Sequence, residues 1–159
     1  MGKSTGSEIM GINRTTPLRM TNETMIPLAP SAVWPVLADI AGYPKWWPRS
    51  LFVRLLHANP ALIGTEFTIR PYGWRSFRCR VVSFEAPVRI CLEYDGIYMG
   101  GVAEWRLEPA GQGTKVIYDM DAEVKDLLVT LFGAVINLES VHSYSMRGIF
   151  RNLRRHLFK

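Results

Sequence analysis

Proton transfer in this chain would fall first to His142. Met146, Ile149, Phe150, Leu153 and Leu157 recur at helical spacing, so they form one stripe of an amphipathic helix expected from about residue 138 to 158. One turn before Met146 on that stripe stands His142, and Glu139 precedes it by three residues on nearly the same face. A carboxylate at that spacing can hold an imidazole in one tautomer, and an imidazole so held can give or take a proton. The competing reading is a histidine satisfied structurally at the mouth of the fold. The other two histidines offer less. His57 stands near a strand end, and His156 lies in a basic tail, where solvation is expected.

Tyr94 and Tyr118 are the next candidates, because a buried phenol needs a partner that a ligand could supply. With Phe67, Trp105 and Met120 from the strands, and Met146, Ile149 and Phe150 from the helix, they would wall an apolar site. The same residue types also fill ordinary cores. Trp46 and Trp47 lie between Pro44 and Pro48; one is expected in the core and the other at the rim of the site, as part of a gate. Opposite them Tyr98 sits among Gly96, Gly100 and Gly101, in a loop free enough to open.

Several chemistries lack their residues. Three scattered histidines and two cysteines, Cys79 and Cys91, give no metal-ligand or redox spacing. There is no phosphate loop, nucleotide fingerprint or serine-hydrolase elbow, so no metal and no cofactor is expected. The formal net charge is +5, and Arg147, Arg151, Arg154, Arg155 and Lys159 equal that excess within the C-terminal segment. A local cluster of this kind argues against a nucleic-acid partner. It can complement the dipole of the last helical turn, or make transient contact with an anionic membrane surface.

The elements that must position these side chains follow from periodicity. Apolar residues make up 48% and charged residues 21%, the balance of a globular chain, and no apolar run is long enough to span a bilayer. MGKSTGSEIMGINRTT has neither a continuous apolar stretch nor a small-residue cleavage site. Gly6 also breaks the myristoylation pattern. Residues 1–16 therefore read as a flexible N-terminal arm, residues 17–159 as a single domain, and the location as cytoplasmic. A first strand is expected near 18–28. A short helix follows, with Ser31 as its N-cap, Val33, Trp34 and Leu37 on one face and Pro35 in its first turn. A second short helix carries Trp46 and Trp47. Period-two alternation then places strands near 51–57, 64–71, 75–85, 88–97, 101–109 and 114–124, joined by loops too short for parallel crossovers. With Ala86-Pro87 as a hairpin tip, Arg80 faces Glu93 and Arg78 faces Asp95. On the other face Cys79 meets Tyr94, Val81 meets Leu92 and Ser83 meets Ile90. Cys79 and Cys91 then point to opposite faces and should not bond. In the last strand Val116, Tyr118, Met120, Ala122 and Val124 point inward.

This order of elements resembles the START-like (SRPBCC) superfamily, in particular its polyketide cyclase/dehydrase and lipid-transport branch. The likeness covers about residues 18 to 158. It is carried by Pro30-Ser31-Ala32-Val33-Trp34, Leu37-Ala38-Asp39, Tyr43-Pro44 leading to Trp46-Trp47-Pro48, Gly64-Thr65, Trp105-Arg106-Leu107-Glu108-Pro109 and Gly113-Thr114. The resemblance implies an α+β helix-grip fold: a seven-stranded curved antiparallel sheet wrapped around the long C-terminal helix, with two short helices after the first strand. It also implies a cavity between sheet and helix for a lipid, polyketide or quinone-like molecule. No catalytic motif of the family is matched, so none of its catalytic residues carries over. Three functions stay open. The chain could be a binder of a small hydrophobic molecule. It could be a cyclase or dehydratase that uses His142, oriented by Glu139, in an aldol cyclisation or dehydration. Or it could be a regulatory protein-interaction domain. Oligomeric state is open.

Overall fold

The computed structural model describes residues 15–132 and 137–159. Strand β1 (Thr16–Ile26) is followed by helices α1 (Pro30–Ala38) and α2 (Tyr43–Trp46). Strands β2 (Arg54–His57), β3 (Glu66–Ile69), β4 (Phe77–Glu85), β5 (Arg89–Asp95), β6 (Met99–Ala110) and β7 (Gly113–Val124) come next, and then helices α3 (Leu127–Phe132) and α4 (Leu138–Leu157). All seven strands form one antiparallel sheet in the order β1-β7-β6-β5-β4-β3-β2. This is the helix-grip arrangement. β2 to β7 pair in sequence, and β1 adds to the free edge of β7 in an unbroken ladder from Thr16↔Val124 to Ile26↔Thr114. No described helix is long and apolar enough to cross a membrane. Residues 1–14, most of the expected arm, lie outside the described residues; Thr16 already belongs to β1.

Alternation along the strands puts one face of the sheet in the core. Val116, Tyr118, Met120, Ala122 and Val124 of β7 are all buried, as expected of a sheet wet on one side only. On the outer face Arg106 bonds Glu104, Glu108 and Asp119 at 2.7–3.3 Å. The β4–β5 register matches expectation from Arg78↔Asp95 to Val81↔Leu92. Arg78 pairs with Asp95, whereas Arg80 turns to Glu66 of β3 at 2.9 Å instead of its partner Glu93. Beyond Val81 a bulge shifts the ladder, and Ser83 stands opposite Cys91 instead of Ile90, because Val82 enters without an opposing residue. Cys79 is buried, Cys91 donates to Glu104 at 3.3 Å on the outer side, and both are free thiols.

Helix α1 begins one residue earlier than its expected cap. Ala29 occupies the N-cap with extended backbone and Pro30 takes the first helical position, where its missing N–H costs nothing. Ser31 therefore lies inside the first turn and caps nothing. Pro35 falls in the second turn, where it deprives Ser31 of an i+4 donor. Helix α4 occupies nearly the expected span. Asn137 caps it by accepting a hydrogen bond from the Ser140 amide at 3.1 Å, and Met146, Ile149, Phe150 and Leu153 face the core. Gly148 lets the helix approach Pro48: a Cβ there would lie 3.1 Å from Pro48 Cγ.

Candidate functional site

A cavity of about 260 Å³ lies between the inner face of the sheet and the N-terminal half of α4. The helix contributes Val141, His142, Ser145, Met146 and Ile149 on the i, i+3, i+4 spacing of one stripe; the sheet contributes Phe77, Tyr94, Tyr118 and Met120 across β4, β5 and β7. Beyond Ile149 the same helix packs closely against the core. There Trp105 and Phe150 pack edge-on at 6.2 Å, with Leu153 fully buried behind them. The space under α4 is thus divided into a solid half and a hollow half.

That division sorts the expected wall residues. Trp47, Tyr94, Tyr98, Tyr118, Met120, His142, Met146 and Ile149 line the cavity. Trp46, Phe67, Trp105 and Phe150 do not reach it. Trp46 sits edge-on to Tyr43 at 5.3 Å and against the ring of His156 at 6.4 Å, and Phe67 is fully buried edge-on to Tyr43 at 5.8 Å. Of the tryptophan pair it is Trp47 that faces the hollow, stacked on Tyr43 at 5.0 Å. His156, expected in solvent, instead has a buried Nδ1 behind Trp46.

The polar groups within the hollow form two stations. At the deep station the hydroxyls of Tyr94 and Tyr118 bond each other. The Tyr118 ring lies edge-on to Trp105 at 4.6 Å and stacked against His142 at 6.2 Å with 24° between planes. Burial drives the Tyr118 phenol well above its ordinary range, so it stays protonated. Burial also pulls the His142 imidazole down to about 4, so at neutral pH the ring is uncharged. Glu139 does not hold that ring: its side chain is exposed to solvent and His142 Nδ1 is buried without a partner. On a helix the two residues share a side, but the histidine leans under the sheet while the acidic side chain stays in water, where its charge is solvated.

The second station stands at the mouth, and sequence reasoning missed it. The turn Pro71–Gly73 between β3 and β4 carries Tyr72, whose hydroxyl bonds Ser145 Oγ at 2.6 Å and ties the turn to α4. Arg75 follows in the same connection, with its guanidinium 4.4 Å over the Tyr98 ring and Nε 3.4 Å from Asp126. Asp126 Oδ1 accepts hydrogen bonds from the amides of Leu128 and Val129 at 2.8 and 3.4 Å, capping α3. The expected gate loop is therefore tied on two sides, since the Tyr98 carbonyl also accepts from the Lys125 amide at 2.8 Å. Ser145, three residues beyond His142, could have been found from the stripe. The Arg75–Asp126 pair could not, because nothing local joins residues so far apart.

Residues 17–157 match the family described as polyketide cyclase / dehydrase and lipid transport. No curated protein sequence matches the chain. Among solved structures the fold is similar to norcoclaurine synthase from Thalictrum flavum in complex with dopamine and hydroxybenzaldehyde, at 10% identity and a TM-score of 0.67, covering 99% of this chain and 96% of that one. The solution structure of the KanY protein is similar at 17% identity and a TM-score of 0.71, covering 91% and 99%. The di-domain ARO/CYC protein StfQ of the steffimycin biosynthetic pathway is similar at 15% identity and a TM-score of 0.66, covering 87% of this chain and 50% of that one. At these identities the likeness is one of fold.

Proposed function

Because the chain belongs to the polyketide cyclase/dehydrase and lipid-transport family, we propose that its cavity binds a small, uncharged, ring-containing hydrophobic molecule. The observation that carries this reading is the hollow half of the sheet–helix space, walled by Met120, Met146, Ile149 and Phe77 and furnished at its floor with the Tyr94–Tyr118 hydroxyl pair. An apolar cavity with a few convergent polar groups suits small-molecule binding. At about 260 Å³ this one lies just below the usual range of roughly 300–1,000 Å³, which favours a compact ring system over a long acyl chain. Flat rings can slide between Trp47, Phe77 and Tyr98, and a carbonyl or hydroxyl can join the phenol pair.

A catalytic reading has one observation in its favour, the stacking of Tyr118 on His142 beneath the same cavity. Against it, an imidazole held at about 4 is a feeble base at neutral pH and carries no proton to donate. The binding reading is therefore preferred. A regulatory interaction domain needs no such hollow.

Calorimetric titration with 2-naphthol, an uncharged two-ring probe, tests the proposal. Saturable one-to-one binding is expected, with loss of binding in Met146→Trp, which fills the cavity from α4. Ser145→Trp blocks the same space from a half-buried position and serves should Met146→Trp not fold. No saturable binding by the unmodified protein, or binding indifferent to both variants, overturns the reading.

A further inference from the structure

The charges at the cavity mouth point to a selectivity that its apolar walls alone do not supply. Among the described lining residues Arg75 is the one cation at neutral pH and Asp126 the one anion. Their side chains approach to 3.4 Å, with the carboxylate buried and the guanidinium half exposed. Asp126 Oδ1 accepts from the Leu128 and Val129 amides and caps α3, and its Oδ2 faces Arg75. The second oxygen leaves the guanidinium, already lying over the Tyr98 ring, without uncompensated charge toward the cavity.

We propose that Asp126 is a specificity-determining residue: by neutralising Arg75 at the mouth, it makes the cavity prefer uncharged molecules over carboxylates of the same shape. An ionised ligand entering this site leaves water for walls that offer no free cation, and burying an uncompensated carboxylate is costly. Were Asp126 absent, Arg75 would stand at the opening as a fork able to take a carboxylate by two parallel hydrogen bonds. The inference rests on the ligand-binding reading above and adds to it the charge class of the ligand and the residue that sets it.

The cap and the charge can be separated by one substitution, since asparagine keeps a side-chain oxygen for the α3 amides and is an equally good capping residue. The experiment measures 2-naphthol and 2-naphthoate by calorimetry near neutral pH, where the first is uncharged and the second ionised, and reads the ratio of their affinities. The unmodified protein is expected to favour 2-naphthol. In Asp126→Asn the ratio should move toward 2-naphthoate by about tenfold, the effect of a freed, half-exposed guanidinium about 5 Å from a carboxylate at an effective dielectric between protein and water. Adding Arg75→Gln to that variant should remove the gain. Arg75→Gln alone, at a half-exposed side chain, should move the ratio the other way by removing the cation that lies beside the Asp126 carboxylate at the mouth, and it carries the test if Asp126→Asn does not fold. A ratio that stays put in Asp126→Asn and in Arg75→Gln overturns the proposal while leaving the binding reading intact. So does a shift in Asp126→Asn that survives loss of Arg75. If the unmodified protein binds neither probe, the binding reading falls and takes this proposal with it.

Discussion

Replacing His142 by glutamine should flatten the acid side of the stability profile. In the folded chain the imidazole is held at about 4 against an ordinary 6.5, and burial is the cause. Above pH 6.5 the ring is neutral in both folded and unfolded states, so the group makes no difference. Below that the unfolded chain takes up a proton that the folded chain refuses, and stability drains away until the folded ring also titrates near 4. Each pH unit in that window is worth about 1.36 kcal/mol. The full gap therefore amounts to about 3 kcal/mol, and about 2–3 kcal/mol once partial solvent access through the cavity is allowed for. Urea unfolding of the protein and of His142→Gln at several pH values between 7 and 4 gives the difference directly, because carboxylate titrations common to both cancel. The gap between the two should shrink, or reverse in favour of the variant, by that amount as pH falls. A difference that is flat across the window would mean that His142 is protonated in the folded state or open to water, and the picture of a neutral ring stacked under Tyr118 would be wrong.

Other perturbations probe the structure that holds the site. Tyr94→Phe strands the buried Tyr118 hydroxyl and should cost about 1–3 kcal/mol, read as a lowered Tm. Leu153→Ala opens a void in the solid half of the helix interface, where the side chain is fully buried; a loss of about 2–5 kcal/mol is expected in chemical unfolding. Gly101→Ala should be worse tolerated than alanine elsewhere in β6. Its φ is +139°, and a Cβ would meet Asp121 O at 2.4 Å and Ala122 Cα at 2.5 Å, both parts of the neighbouring strand. Unfolding of the variant well below the unmodified protein's Tm checks this, and an unchanged Tm would refute the claimed close approach.

How far the sequence could be read depended on the range of the interaction involved. The inward face of β7 was legible because a sheet wet on one side imposes alternation, broken between Val116 and Val124 only at Ile117, which is buried as well. The β4–β5 register was legible up to Val81 and failed at Val82, since a bulge inserts a residue whose type does not announce it. The start of α1 was misplaced because Ser31 is a good cap by type, yet Pro30 already suits the first helical position. The stripe on α4 was read correctly, but not where the hollow begins along it. Met146 and Phe150 are one turn apart and both apolar, and which of them borders a void depends on Trp105 filling the space beside one of them. For the same reason Trp46, Phe67 and Trp105 read as wall residues and proved to be packing. Glu139 was paired with His142 on spacing alone, and spacing does not tell which of two neighbours turns under the sheet. The Arg75–Tyr98–Asp126 cluster joins three connections far apart in the chain, so no local pattern could announce it.

Methionine methyl groups report most directly on whether the hollow beneath α4 accepts a molecule. Met120 and Met146 line it from opposite walls, and Met25 is about half exposed away from it. In protein labelled with carbon-13 at the methionine methyls, titration with 2-naphthol should shift the Met120 and Met146 resonances together and saturably while Met25 stays in place. Movement of Met25 alone, or still resonances for both Met120 and Met146 at saturating probe, would contradict the claim that this space is a binding site.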